Sequence, residues 1–321
     1  MMSRIEMSSS KKTAVLLLAH GSPDSLEDIP EFLLRVTRGR AIPSEVVEEI
    51  KHRYGLIGRS PLTELTMRQG ELLSSELELP VYVGMRNWKP FIADVVRTMA
   101  VDGIEHAMVI CLAPQNSRTS VGLYRSALGA DGELPFSVDF VESWHDHPLL
   151  IKAFAERLRG GWAGARNEKG SKVQVIFTAH SVPQRTIADG DPYEIQGKET
   201  AALVATEASA AREDWRFAFQ SQGMSGEPWL GPTVEDTILM LKAEGCSGIF
   251  VQPIGFLCDH VEVLFDIDIA FKKFAESQGM RLWRAESLND SPLLTAALVD
   301  IVKSRMSEEN KSIPIPVGAK S

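Results

Sequence analysis

Short apolar runs separated by polar turns recur along this chain at the spacing expected of strands alternating with helices. Ala14-Val15-Leu16-Leu17-Leu18 and Val173-Gln174-Val175-Ile176-Phe177 are rich in β-branched and large apolar residues, as parallel strands covered on both faces are. Each run ends in a similar signature, Ala19-His20-Gly21-Ser22-Pro23 in one case and Ala179-His180-Ser181-Val182-Pro183 in the other. A histidine thus stands at the carboxyl end of a buried strand twice, and in open α/β sheets that edge binds ligands. The pattern predicts a cleft with two facing imidazoles.

The duplication extends beyond the histidines. Asp94 to Gly103 can be laid on Asp236 to Gly245 without a gap, and each glycine precedes a short turn and another apolar strand. Those strands lead to Leu112-Ala113-Pro114 and Ile254-Gly255-Phe256, and the helix-glycine-strand order is a βαβ sign. The fold class is therefore α/β, with two similar Rossmann-like halves over residues 13–160 and 173–306, each a parallel sheet flanked by helices. The glycine- and charge-rich run from Gly160 to Gly170 is expected to connect them. Residues 1–12 and 307–321, the latter broken by Pro314 and Pro316, read as flexible tails.

Composition narrows the classes. A chain of 321 residues with 44% hydrophobic content has material for two cores. A formal charge of -9 disfavours nucleic acid as partner, because phosphate neutralisation needs clustered Lys and Arg. Cys111, Cys246 and Cys258 cannot make a disulfide framework or supply the four thiolates of a usual iron-sulfur cluster, and no permanently bound cofactor is expected. The polar start lacks the apolar core of a signal peptide, and no run approaches the ~20 apolar residues of a transmembrane helix. A cytoplasmic protein is expected.

Candidate chemistry gathers after the second-half strand. Asp259-His260-Val261-Glu262 reads as a helix start with Asp259 as N-cap, placing Asp259, Glu262 and Asp266 on one face while Val261, Leu264, Phe265 and Ile269 pack. Carboxylates leading to an imidazole suit borderline first-row metals such as Fe²⁺, or protons. The spacing contains no unit of a structural zinc site, so passing metal fits better than resident metal. Plainer readings apply elsewhere. Asp266 and Asp268 form a solvated helix face, Arg53 and Arg86 make surface ion pairs, and His52 and His106 face solvent. His145 and His147 belong to a surface turn capping the next helix.

An ordered set of segments resembles the ferrochelatases over nearly all of residues 13–306. Its carriers are Arg53-Tyr54 with Gly58-Arg59-Ser60-Pro61-Leu62, Val83-Gly84-Met85-Arg86, Thr178 to Pro183, Gly190-Asp191-Pro192-Tyr193, Gln220-Ser221, Pro228-Trp229-Leu230-Gly231-Pro232 and Gly255 to Glu262. The resemblance implies insertion of Fe²⁺, as substrate, into a porphyrin bound in the cleft between the halves. It makes His180 and Glu262 the catalytic and metal-site pair. Removing two pyrrole protons calls independently for a base near neutral pH, which histidine supplies.

The chain looks most like the enzymes acting on coproporphyrin III, because the segment from Ile29 to Tyr54 lacks a longer apolar lip. Four propionates then need donors, and the resemblance assigns Arg53, Ser60 and Tyr124 to them. Thr37 stands where similar enzymes carry arginine, leaving Arg38 or Arg40 as substitutes. His20 replaces a tyrosine that approaches iron from the first half, so His20 and His180 are expected on opposite porphyrin faces. Ala270 interrupts the carboxylate row on which some relatives build an outer metal site. Transient partners among haem-pathway enzymes are expected. The competing readings are protoporphyrin IX as substrate, a cobalt chelatase, and a non-enzymatic porphyrin or haem carrier. A dinucleotide oxidoreductase is disfavoured, since neither strand-to-helix turn has Gly-x-Gly-x-x-Gly.

Overall fold

The computed structural model describes residues 11–169, 173–222 and 226–311. Among these, β1 (Thr13–Ala19), β2 (Val81–Met85), β3 (His106–Cys111) and β4 (Ser137–Val141) form one sheet in the order β2-β1-β3-β4. The second sheet contains β5 (Val173–His180), β6 (Trp215–Gln220), β7 (Gly248–Pro253) and β8 (Arg281–Arg284) in the order β6-β5-β7-β8. Every pairing is parallel. The two orders are the same path drawn twice, which puts both histidine-bearing strands at the same interior position.

Alternation along β1 explains why its run is apolar throughout. Val15, Leu17 and Ala19 face one core, whereas Ala14, Leu16 and Leu18 face another built with the helix Ile92–Val101. The ungapped repeat is also structural. Met85 bridges Phe91 just before the first-half helix, and Phe219 bridges Thr233 just before the second-half helix Val234–Ala243. Gly103 and Gly245 close the corresponding turns with φ of 72° and 83°, where side chains with a Cβ are disfavoured.

The described part of the glycine-rich run, residues 160–169, does not form a loop. It is the last part of a continuous helix, Pro148–Lys169. A Cβ on Gly161 would lie 2.4 Å from the Phe250 ring, so this glycine lets the helix sit directly on β7. Trp162 reinforces the seat by donating its indole N–H to the Val173 carbonyl at 3.1 Å. Phe154, Leu158 and Trp162 of this helix join Val15, Leu17, Val175 and Phe177 in one core that spans both sheets. The final helix, Pro292–Lys311, extends past residue 306 and returns to the first half, where Arg305 meets Asp139 at 3.2 Å. The prolines of the expected C-terminal tail, and residues 1–10, lie outside the described residues.

Candidate active site

β1 and β5 deliver His20 and His180 to the walls of one cavity of about 330 Å³. The two rings are held alike. Nδ1 of His20 faces the Gly21 carbonyl at 3.0 Å, and Nδ1 of His180 faces the Ser181 carbonyl. A carbonyl only accepts, so Nδ1 carries the proton in both and Nε2 keeps a lone pair. Gly21 permits the first arrangement, because its φ is +82° and a Cβ there would lie 2.9 Å from the Trp88 nitrogen.

The surroundings of the two rings differ. Nε2 of His180 stands 3.5 Å from Oε2 of Glu262. Burial pushes the Glu262 carboxyl up, but attraction to the protonated forms of His180, His260 and His20 outweighs it and leaves a net lowered pKa. Glu262 is thus held as a carboxylate. Burial, helped by the nearby Arg86 guanidinium, pushes His20 down to about 4, so that ring stays neutral. Burial likewise lowers His260, whose Nδ1 is buried without a hydrogen-bond partner and whose ring lies edge-on to Phe256 at 4.5 Å.

The expected row of three carboxylates is split. His260, with φ of -162°, precedes a short helix, Val261–Leu264, and caps it with no side-chain bond. Asp259 is not the N-cap. Its carboxylate accepts from Ser287 at 2.7 Å and Asn289 at 3.0 Å and pairs with Arg284 at 3.2 Å. A π-helical turn follows at Asp266–Phe271, with the Ala270 N–H reaching back to the Phe265 carbonyl at 2.9 Å. Asp266 accepts from Ser221 at 2.5 Å and is pushed up to about 6, first by burial. The solvated reading therefore fails for Asp266. It fails for Asp268 too, which Arg284 grips with two nitrogens at 2.8 and 2.9 Å.

Hydrogen bonds beside the cleft sew the two halves together. Oδ2 of Asp191 accepts from the Ser117 hydroxyl at 3.1 Å and the Arg118 N–H at 2.7 Å, while Oδ1 accepts from the Tyr193 N–H at 3.0 Å. Gln115 adds bonds to Thr200 and the Ile254 carbonyl, each at 3.2 Å. First-half and second-half walls thereby share one polar seam. His145 belongs to it, bridging Ser143 at 2.8 Å and Glu199 at 3.0 Å, so it is buried between the halves and not in a surface turn. His147 does accept from the Leu149 N–H at 3.3 Å at the start of the following helix.

Two strand-end imidazoles and the half-buried Glu262 carboxylate thus line one cavity walled by both halves. The sequence profile named Ferrochelatase matches residues 12–306. The chain belongs to the ferrochelatase family. It is 56% identical over 308 residues to a ferrochelatase of Acidobacterium capsulatum, covering 92% of this chain and 94% of that one. It is 36% identical over 310 residues to a coproporphyrin III ferrochelatase of Geobacillus sp. WCH70, covering 92% and 98%. Among solved structures, SirB of Bacillus subtilis with Fe³⁺ superposes with a TM-score of 0.56 at 12% identity, over 94% of this chain and 98% of that one. That likeness shows a shared two-half fold.

Within this ferrochelatase fold the remaining site residues separate into two groups. Tyr124 is buried and lines the cavity, together with Tyr193 and Trp229. Arg53 and Ser60 stand outside its wall. Arg53 pairs with Glu49 at 2.9 Å and Asp266 at 3.8 Å and covers the Phe265 ring at 5.0 Å. Ser60 is 4% exposed and accepts from the Leu62 N–H at 3.5 Å. Thr37 ends the lip helix Ile29–Val36 by donating to the Leu33 carbonyl at 3.0 Å, and Arg38 and Arg40 are exposed away from the cavity wall. His52 faces solvent, but His106 is 6% exposed and holds Ser137 at 2.9 Å. Arg86 is no surface ion pair: it lines the cavity over the Tyr124 ring. Sequence reasoning gave no site role to His260, Tyr193 or Arg86, although all three lie inside the family's quoted segments.

Proposed function

We propose that this chain inserts Fe²⁺ into coproporphyrin III, with His180 as proton acceptor and Glu262 as the relay behind it. The observation that carries this reading is the His180 Nε2 lone pair, turned into the cavity with the Glu262 carboxylate 3.5 Å away. Insertion exchanges two pyrrole N–H protons for one Fe²⁺. Each proton passes to Nε2, and the adjacent carboxylate stabilises the imidazolium and takes the proton onward, which resets the base. Glu262 has the charge for this because its pKa lies below the ordinary carboxylate value.

Fe²⁺ is the substrate metal, and the imidazole and carboxylate donors suit it. His20, held neutral, offers its Nε2 to iron from the other wall, so the macrocycle lies between the two rings. The preference for coproporphyrin III rests on the similar Geobacillus protein of that name and on the short lip. Tyr124 donates to a propionate from inside the cavity, and Arg53 and Ser60 border it from the lip. Anaerobic Fe²⁺ insertion by the purified protein, followed by absorbance with coproporphyrin III and protoporphyrin IX in parallel, tests the reading. Turnover confined largely to coproporphyrin III is expected. Binding of either porphyrin without insertion would overturn it in favour of a carrier.

A further inference from the structure

The cavity wall contains one permanent cation, Arg86, and among the described residues no carboxylate pairs with its guanidinium. This is an expensive arrangement, since a sheltered guanidinium that lacks a counter-charge loses hydration without recovering it. Its Nε is buried with no hydrogen-bond partner, and its neighbour is an aromatic ring, Tyr124, 5.6 Å from Cζ to ring centre. Nor does the proposed reaction use it. A fixed positive charge repels incoming Fe²⁺ and cannot accept a pyrrole proton.

A second unpartnered group lies close by in the fold. The Ser120 hydroxyl also lines the cavity and is buried without a partner. Ser120 precedes Tyr124 by one helical turn, with the Tyr124 N–H bonded to the Ser120 carbonyl at 3.1 Å. Arg86, Tyr124 and Ser120 therefore present a guanidinium, a phenol and a hydroxyl on one wall. That donor set matches the two oxygens of a carboxylate. The placement comes from the sheet, because Met85 is in register with Ala19, which sets Arg86 beside His20 at the strand ends. In the second half the equivalent position, in register with His180, is Gln220, which is uncharged.

We propose that Arg86 and Ser120, with Tyr124, form a carboxylate subsite in the first-half wall that receives one propionate of the porphyrin and fixes which edge of the macrocycle enters the cleft. This rests on the chelatase reading above, and it gives that reading an orienting anchor inside the cavity, distinct from Arg53 at the lip.

Metal-free titration separates the two. Coproporphyrin III and its tetramethyl ester share shape and ring, but the ester has no carboxylate. Each is titrated into the full chain and into Arg86→Gln, Arg86→Lys and Ser120→Ala, following tryptophan quenching, with circular dichroism melts on the same samples. Arg86→Gln should weaken the free acid about ten- to a hundredfold, as loss of a charge-assisted bond does, and change the ester by less than about twofold. Arg86→Lys should recover part of the acid preference, and Ser120→Ala should lose about three- to tenfold for the acid alone. Equal weakening of acid and ester by Arg86→Gln, or unchanged acid binding, would overturn the subsite. Should Arg86→Gln not fold, an acid preference unaltered in both Arg86→Lys and Ser120→Ala would overturn it equally. Failure of the unmodified protein to bind either porphyrin would overturn the chelatase reading itself, and the subsite with it.

Discussion

The two halves of this molecule place the same ring at the same strand end and then give it opposite electrical company. Beside His20, β2 is followed directly by Arg86; beside His180, β6 ends in Gln220. After β3 the first helical turn, Val121 to Tyr124, has no carboxylate, whereas after β7 it contains Glu262. The frames match, and the residues at two corresponding places set unlike charges beside the rings. The first half keeps a neutral imidazole next to a cation, and the second backs its imidazole with an anion. In the proposed reaction the ring near Arg86 is the lone-pair donor, while the ring near Glu262 is the place to put protons.

This division is most directly broken by exchanging the consequences of losing each ring. His180→Ala should lower kcat for insertion by about 10²–10⁴ with porphyrin affinity within a few-fold, the range of a lost general base, and Glu262→Gln should follow it. His20→Ala should cost less than about tenfold and show itself mainly in the absorption spectrum of bound product. Equal losses from His20→Ala and His180→Ala in steady-state kinetics would show that the halves are chemically equivalent.

The seating of the central helix on the second sheet is the next largest test. Gly161→Ala forces a methyl group into the Phe250 ring and should lower stability to denaturant by about 1–3 kcal/mol, with kcat per folded molecule unchanged. A neutral result would separate the helix from β7. Acidity sharpens the contrast more gently. His20 is lowered from 6.5 to about 4, so the unfolded chain binds its proton first as pH falls. Its contribution is full above about pH 6.5 and is lost toward pH 4. Melting temperatures of the unmodified protein and His20→Asn should therefore converge on acidification; parallel curves would contradict the buried neutral ring. The smallest effect is expected at Arg53, whose side chain is 35% exposed and already paired with Glu49. Arg53→Ala should change stability by less than about 1 kcal/mol. A drop in coproporphyrin III affinity beyond about tenfold would show that Arg53 turns from these partners to the substrate.

Much of the frame was legible because its signals are local. Each apolar run ends in its own histidine, and Gly103 and Gly245 mark the same turn in both halves. That His180 and Glu262 meet in one cavity was legible because both lie within short segments typical of the family. What escaped depends on distant partners. Gly161 looked like a linker residue because its reason, the Phe250 ring, is far along the chain. Asp259 looked like a cap because Ser287 and Asn289, which claim it, follow about a helix and a strand later. The π-turn after Phe265 has no clear periodic signature, so Asp266 was read as solvated. Arg86 was quoted for its motif, but its burial follows from the β1–β2 register and not from its neighbours in sequence.

The seam at Asp191 has a mechanical consequence. One carboxylate gathers donors from the Ser117-Arg118 loop of one half and from Tyr193 of the other. Such a joint ties the two walls as a spine ties the boards of a book. Parting the walls along this line would cost the bonds that span the halves.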